Sequence, residues 1–310
     1  MSLKRPSATA SEGLEFSTTT PLVTQRAISW MPMEILSMLS PSQLNEKSRE
    51  LRIDILRAVH SAGKGHIGGA YSIVEILVSL YYGKFLRFDP ANPLWGGRDR
   101  FLLSKGHAGI ALYAVLADLG FFSREEMPYL NQGQLLGEHP DPRIPGVEFL
   151  SGSLGHGLPI GCGMALADKL DGNNRKTVVL MGDGECYEGS VWEAAMFAAH
   201  HELHHLCAIV DRNRLITHGS TESINRLEPF AKKWMAFGWD VRVIDGHQFE
   251  DLNSAWATHF SKTSGKPSVV IANSVKGKGV SFMENQPEWH HGGIDLDRFV
   301  LALAELQDGK

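Results

Sequence analysis

Apolar residues recur at helical spacing early in the chain and gather in short β-rich runs from its middle onward. Leu44, Leu51, Ile55 and Val59 follow Ser40-Pro41, an N-cap with proline at the first helical position, so ordered structure is predicted to begin there. A second helix is predicted around Ile73, Ile76, Leu77 and Leu80. The segment between them, Ser61-Ala62-Gly63-Lys64-Gly65-His66-Ile67-Gly68-Gly69, has too much glycine for either element and reads as a loop that brings backbone close to a neighbour. β-rich runs at residues 177–181, 206–210, 239–244 and 268–272 come with helical patterns at 190–200 and 249–260 between some of them. This order predicts an α/β fold: a parallel sheet with right-handed crossovers, helices on both faces, and ligands at the carboxyl ends of the strands. Residues 131–163, rich in Gly and Pro, read as a long loop serving that site. Residues 1–29, rich in Ser and Thr, read as a flexible arm, which leaves 30–310 as one domain.

Composition narrows the partners. With 310 residues, 43% hydrophobic and 21% charged, the chain is expected to be ordered and globular, and disorder is excluded as its main state. A net charge of -5 argues against a nucleic-acid surface, while an anionic small ligand held by a few Lys and His still fits. Cys162, Cys186 and Cys207 show neither metal-ligand spacing nor a disulfide framework, which points to a reducing cytoplasm. No apolar run approaches the roughly 20 residues that span a bilayer, and the first 28 residues lack the apolar block of a signal peptide. The expectation is a cytoplasmic protein with no membrane partner.

The sharpest chemical signal is Gly182-Asp183-Gly184-Glu185, directly after the predicted strand 177–181. Ser190-Val191-Trp192-Glu193 reads as a capping box opening the next helix. The following strand leads into Asp211-Arg212-Asn213-Arg214-Leu215. Asp183 and Asn213 thus fall at the tips of neighbouring strands, 30 positions apart in sequence. One carboxylate and one amide oxygen so placed suit a hard cation that also binds phosphate oxygens, as Mg²⁺ does. Alone, Gly-Asp-Gly marks a turn; the strand before it and Asn213 after it turn the reading toward a site.

Gly182-Asp183-Gly184 followed by Asn213 resembles the thiamine-diphosphate fingerprint, and residues 182–194 resemble its transketolase version. Further blocks similar to transketolases stand in the right order: Gly65-His66, Asp99-Arg100-Phe101-Leu102-Leu103-Ser104-Lys105-Gly106-His107, Glu138-His139-Pro140, Gly152-Ser153-Leu154-Gly155-His156-Gly157 and Lys276-Gly277-Lys278-Gly279. The resemblance covers roughly residues 45–295. It implies the thiamine-diphosphate-binding fold and transfer of a two-carbon ketol unit from a ketose to an aldose. It makes Asp183, the Asn213 side chain and the Leu215 carbonyl the protein ligands of Mg²⁺ or Ca²⁺. Gly184 and Glu185 would line the cofactor, Gly152 and Leu154 would meet its thiazolium and aminopyrimidine region, and Lys105, His107 and Lys276 would face the diphosphate. His66, His107, His139 and one of His290 or His291 would bind the sugar and move protons, work that suits a group titrating near 6.5.

The chain departs from the pattern in three places. His156 stands where full-length transketolases commonly have glutamine, the usual small polar residue near Gly69 is missing, and the doubled His290-His291 leaves one register open. In the family, the glutamate that activates the cofactor belongs to a second, pyrimidine-binding domain, and this chain ends at Lys310. The expected arrangement is a split transketolase, in which this N-terminal subunit joins a C-terminal subunit carrying that domain and its activating Glu. Two copies of each would form a heterotetramer with the cofactor at the interface. Alternatives within the thiamine enzymes are the α subunit of a 2-oxo-acid dehydrogenase and a deoxyxylulose-phosphate-synthase-like enzyme. From another class, His201-Glu202-Leu203-His204-His205 matches the zinc metalloprotease motif through His201, Glu202 and His205. Because Leu206 must open a strand, the helix is expected to end inside that motif.

Overall fold

The structure is a computed structural model and describes residues 39–263 and 265–309. The arm expected over 1–29 lies outside the described residues. The first helix, α1 (Pro41–Ala62), starts as its sequence dictates: the Ser40 hydroxyl accepts from Gln43 N–H while the Gln43 side chain accepts from Ser40 N–H, with Pro41 in the first turn. Gly63, at φ 73°, ends it in a left-handed cap. Then follow α2 (Ile67–Tyr71), α3 (Val74–Tyr82), β1 (Arg100–Leu103), α4 (Gly109–Asp118), α5 (Gly157–Leu170), β2 (Thr177–Gly182), α6 (Gly189–His200) and β3 (Leu206–Arg212). The chain continues through α7 (Thr221–Ile224), α8 (Phe230–Ala236), β4 (Asp240–Asp245), α9 (Phe249–Phe260), β5 (Ser268–Asn273) and α10 (Leu296–Asp308).

The five strands form one parallel sheet in the order β1-β2-β3-β5-β4. Alternation along the strands divides the core in two. Leu103, Leu180, Ile209 and Val270 share one register row and pack with residues of α1, α3, α4 and α9. The next row, Leu102, Val179, Ala208 and Val269, packs with α5, α6 and α8 on the other face. A parallel sheet buried on both faces needs near-continuous apolar strands, which the central strands supply. The expected layering of helix, sheet and helix is therefore present. Among the described residues no helix is long and apolar enough to cross a membrane.

Some expectations are corrected. The glycine-rich segment 61–69 is not wholly a loop, because α2 forms at Ile67 and takes in Gly68 and Gly69. Its close approach is real: a Cβ on Gly68 would stand 2.6 Å from the Trp289 carbonyl oxygen, and Gly68 O accepts from Gly277 N–H. The loop after residue 131 ends at Gly157, where α5 starts. α4 is buried nearly all round and so carries no amphipathic period to read. Ser190 does not cap α6; Glu188 holds the N-cap position, and the Ser190 hydroxyl donates to Gly155 O at 2.9 Å.

Candidate functional site

Every strand tip at the carboxyl edge of the inner sheet carries a charged or polar residue. β1 runs into Ser104 and Lys105, β2 into Asp183, β3 ends on Asp211 and Arg212 before Asn213, and Ser274 and Lys276 follow β5. Asp211, fully buried, is the knot that joins them. Its carboxylate accepts from Lys105 Nζ at 2.5 Å, Ser72 Oγ at 2.7 Å and Asn213 Nδ2 at 2.8 Å, and also from Ser274 Oγ. Burial pushes the Asp211 carboxyl up, but the Lys105 ammonium and the Ser274 and Ser72 hydroxyls overcome this and hold it below the ordinary carboxylate range. Lys105 spends a second proton on Gly69 O at 2.9 Å.

Asp183 is 2% exposed and differs from Asp211 in its balance. Its Oδ2 accepts from Arg214 N–H at 2.6 Å and Arg212 Nη1 at 3.1 Å, and Oδ1 from Gly184 N–H at 2.7 Å. Arg212 divides its charge among Asp183, Glu222 and Glu228. Burial, reinforced by the negative charge of Asp211, leaves the Asp183 carboxyl above its ordinary range. Lys276, 1% exposed, shows the opposite imbalance: burial and the nearby Lys105 charge lower it to about 8. One buried carboxylate short of positive charge and one buried ammonium short of negative charge lie beside the same network. Asn213 Oδ1 accepts from Leu215 N–H at 3.0 Å and, as a carbonyl oxygen, keeps a second lone pair. Leu215 sits in the turn that bridges to Ser220.

Glu185 is consumed by structure. Its buried carboxylate accepts from the Ser104 hydroxyl, from Gly155 N–H at 2.9 Å and from Gly182 N–H at 3.1 Å, which ties the 151–155 loop to the tip of β2. Within that loop Gly152 adopts φ 141°, which only glycine tolerates easily, and stands beside His139. Leu154 is half-buried in the same loop. Across the cleft, a Cβ on Gly184 would meet Ile216 at 2.4 Å, so backbone there packs without room for a side chain.

Next to this network five histidines converge from four segments. His66 stands at the N-cap position of α2 without a side-chain capping bond; its ring centroid lies 5.3 Å from that of His107, 6.5 Å from His139, 5.4 Å from His290 and 4.4 Å from His291. His290 Nδ1 is 2.8 Å from Lys276 Nζ, and its ring lies 5.3 Å from that of His107. Burial and neighbouring positive groups push His66 down to about 4 and His290 to about 3, with His107 also well below its usual value. The structure brings both members of the doubled pair into the cluster. His290 sits inward on Lys276, while His291 lies outward, 3.1 Å from Glu138 Oε1. Sequence reasoning missed Asp211, Arg212, Ser104 and Glu138 as residues of the site, although each lies in or beside one of the motifs, because nothing but their contacts sets them apart.

The zinc motif at His201, Glu202 and His205 is overturned. α6 stops at His200, Glu202 adopts φ 48°, and His205 lies just before β3, so no single helical face carries the two histidines. Among the described residues, the group whose ligand atoms converge as a metal would require is His66, Glu138 and His291 instead.

Comparisons with known proteins show the family of the chain. Residues 42–302 match the family model described as "Transketolase, thiamine diphosphate binding domain". The chain is 42% identical over 279 residues to one subunit of the apulose-4-phosphate transketolase of Phocaeicola vulgatus, covering 90% of this chain and 96% of the relative. It is also 42% identical over 266 residues to the 6-deoxy-6-sulfo-D-fructose transketolase subunit SqwG of a Clostridium species, covering 85% of this chain and 96% of that one. The transketolase crystal structure from Campylobacter jejuni superimposes with a TM-score of 0.81 at 29% identity, over 87% of this chain and 43% of that longer one.

Proposed function

Because the chain belongs to the transketolase family, through its thiamine diphosphate binding domain, we propose that it is the diphosphate-binding subunit of a two-chain transketolase moving a two-carbon ketol unit from a ketose to an aldose. The observation that carries the residue assignments is the paired imbalance of Asp183 and Lys276. A divalent cation relieves the first and a diphosphate the second, and magnesium thiamine diphosphate brings both charges together. Buried carboxylate, amide carbonyl and backbone carbonyl form an oxygen set that fits Mg²⁺ or Ca²⁺. Asp183, Asn213 and the Leu215 carbonyl would therefore hold the metal, while Lys276 and His107 would stand toward the diphosphate. Lys105, expected to face the diphosphate, is held by Asp211 and Gly69 O and would serve the diphosphate by ordering the strand tips beneath it.

When bound, thiamine diphosphate supplies the carbon nucleophile and the electron sink for carbon-carbon cleavage. The residues of this chain bind and orient the sugar and move its protons. His66, His107 and His290 are held neutral by burial; His290 Nδ1 accepts from Lys276, which leaves its Nε2–H to donate to the sugar, His66 and His107 offer it further imidazole nitrogens, and His139 and His291 complete the ring of imidazoles around them. Gly152 and Leu154, anchored through Glu185, would carry the cofactor's ring region.

The partner in this reading is a C-terminal subunit with the pyrimidine-binding domain and its activating glutamate, two copies of each chain forming the assembly. The relatives named as transketolase subunits, which this chain matches along 96% of their length, support it. Their printed substrates, one with a phosphate and one with a sulfonate, support a ketose with an anionic far end. Three free, buried cysteines suit a cytoplasmic setting. The test is to measure ketol transfer by the purified chain alone and after co-purification with its partner. Turnover only by the pair is expected, and robust turnover by the lone chain overturns the two-chain reading.

A further inference from the structure

Glu138 lies inside the histidine cluster, yet ketol transfer as derived for this chain gives it no work. Its Oε1 stands 3.2 Å from His66 Nδ1 and 3.1 Å from His291 Nε2, and the ligand atoms of the three residues all lie within 4.8 Å of one another. They arrive from separate places: His66 at the start of α2, Glu138 between α4 and α5, and His291 just after the 3₁₀ turn Pro287–His290. A self-sufficient cluster would aim each N–H at the carboxylate. Here neither His66 Nδ1 nor Glu138 Oε1 has a hydrogen-bond partner, although both atoms are buried. Buried polar atoms left unpaired are costly unless a further group takes them.

The donor types say what that group is. Two imidazole nitrogens and a carboxylate oxygen suit the borderline transition metals, whereas Mg²⁺ and Ca²⁺ prefer oxygen alone. With zinc bonds of about 2.0–2.1 Å, tetrahedral ligands stand about 3.3 Å apart. The two nitrogen-to-oxygen separations, 3.2 and 3.1 Å, are close to that edge. Glu138 and His291 keep 31% and 41% of their side chains exposed, so the remaining coordination positions open to solvent.

We propose that His66, Glu138 and His291 form a second metal site, selective for a divalent transition metal of the Zn²⁺ class. It is separate from the oxygen-donor site at Asp183. A consequence rests on the ketol-transfer reading: the metal occupies two histidines which that reading gives to the sugar, so metal and ketose compete. Free transition metal then acts as an inhibitor, and a chelator that takes Zn²⁺ but leaves Mg²⁺ restores activity.

The test is calorimetric titration of ZnCl₂ into the full chain with its partner, in chelator-free buffer containing saturating Mg²⁺ and thiamine diphosphate. Visible absorption of Co²⁺ serves as a second probe of the same site. One Zn²⁺ per copy of this chain is expected, with affinity falling at least tenfold in Glu138→Gln and in His291→Ala but not in His290→Ala. Unchanged affinity for Mg²⁺ and thiamine diphosphate in Glu138→Gln shows that this variant is folded. Absence of Zn²⁺ binding, or equal affinity in wild type and both ligand variants, overturns the site. Zinc binding with the expected variant pattern but no displacement by ketose upholds the site and overturns the placement of the sugar, which separates the two failures.

Discussion

Histidines crowd both ends of this sheet, and the two ends do different things. At the amino end His204 and His205 pack ring to ring at 3.9 Å, and His259 is buried beside them. At the carboxyl end His66, His107, His139, His290 and His291 meet around Lys276 and Glu138. Burial lowers His66 and His205 alike to about 4, so a shifted proton affinity does not tell the site from the scaffold. Origin does. His200 ends α6, and His201, His204 and His205 follow it in the one turn before β3, so apart from His259 of α9 the amino-end histidines are sequence neighbours. Those at the carboxyl end come from four segments far apart in sequence, brought together above the strand tips and by the pairing of Gly65 with Gly292.

That contrast can be broken most forcefully at Asp211. Asp211→Ala leaves Lys105, 1% exposed, with no counter-charge, and a buried ion stripped of its partner costs about 3–5 kcal/mol. Urea denaturation should show a loss of that size, and a change within about 0.5 kcal/mol would show that the strand tips are not the scaffold of the site.

A second comparison is catalytic. His66→Ala should lower kcat by about 100-fold, as loss of one positioned proton-transfer group does, with thiamine diphosphate affinity retained. A wild-type kcat would remove His66 from the proton path.

Stability against pH registers buried histidines at both ends, and His259 supplies a share of it that can be removed without touching the carboxyl end. Burial, with Lys176 and Lys262 nearby, holds His259 well below its ordinary value, so the folded protein keeps it neutral while the unfolded chain takes up a proton below about pH 6.5. The folded state binds fewer protons there. Its stability is therefore intact above that pH and falls on acidification, by up to about 1.4 kcal/mol per pH unit for this one group. Thermal melts from pH 7 downward should show this slope, and His259→Gln should make it shallower by one group's share, the rest belonging to the other buried histidines; an unchanged slope would show that His259 contributes none of it.

The smallest effect belongs to the zinc-motif decoy. His201→Ala should change stability by no more than about 0.5 kcal/mol and leave ketol transfer untouched. Loss of activity would reopen the amino end as a functional surface.

How much of this is legible in the sequence follows from what each residue needs. Asp183 and Asn213 can be read because a strand before each fixes its place at a tip, and the boundaries of β2, β3 and β5 fall within two residues of the expected runs. Ser40 and Pro41 declare the start of α1 through local capping chemistry alone. β1 is visible only as part of a motif, since four residues ahead of Ser-Lys-Gly carry too short an alternation to recognise. α4 and α5 are hidden for opposite reasons, one apolar on every side and the other threaded with glycine. Asp211 and Glu138 stand in plain view, but their roles exist only through contacts with Lys105, His66 and His291, which sequence spacing does not encode.

The central claim is that the tips of β2 and β3 clasp a divalent ion that carries the cofactor's diphosphate. Calorimetric titration of thiamine diphosphate into the chain with its partner, with Mg²⁺ and then with a chelator, in wild type and Asp183→Ala, tests it most directly. The account predicts metal-dependent binding that weakens by about 100-fold or more in the variant, or about 2.7 kcal/mol. Equal affinity in wild type and variant, or binding indifferent to the metal, would contradict it.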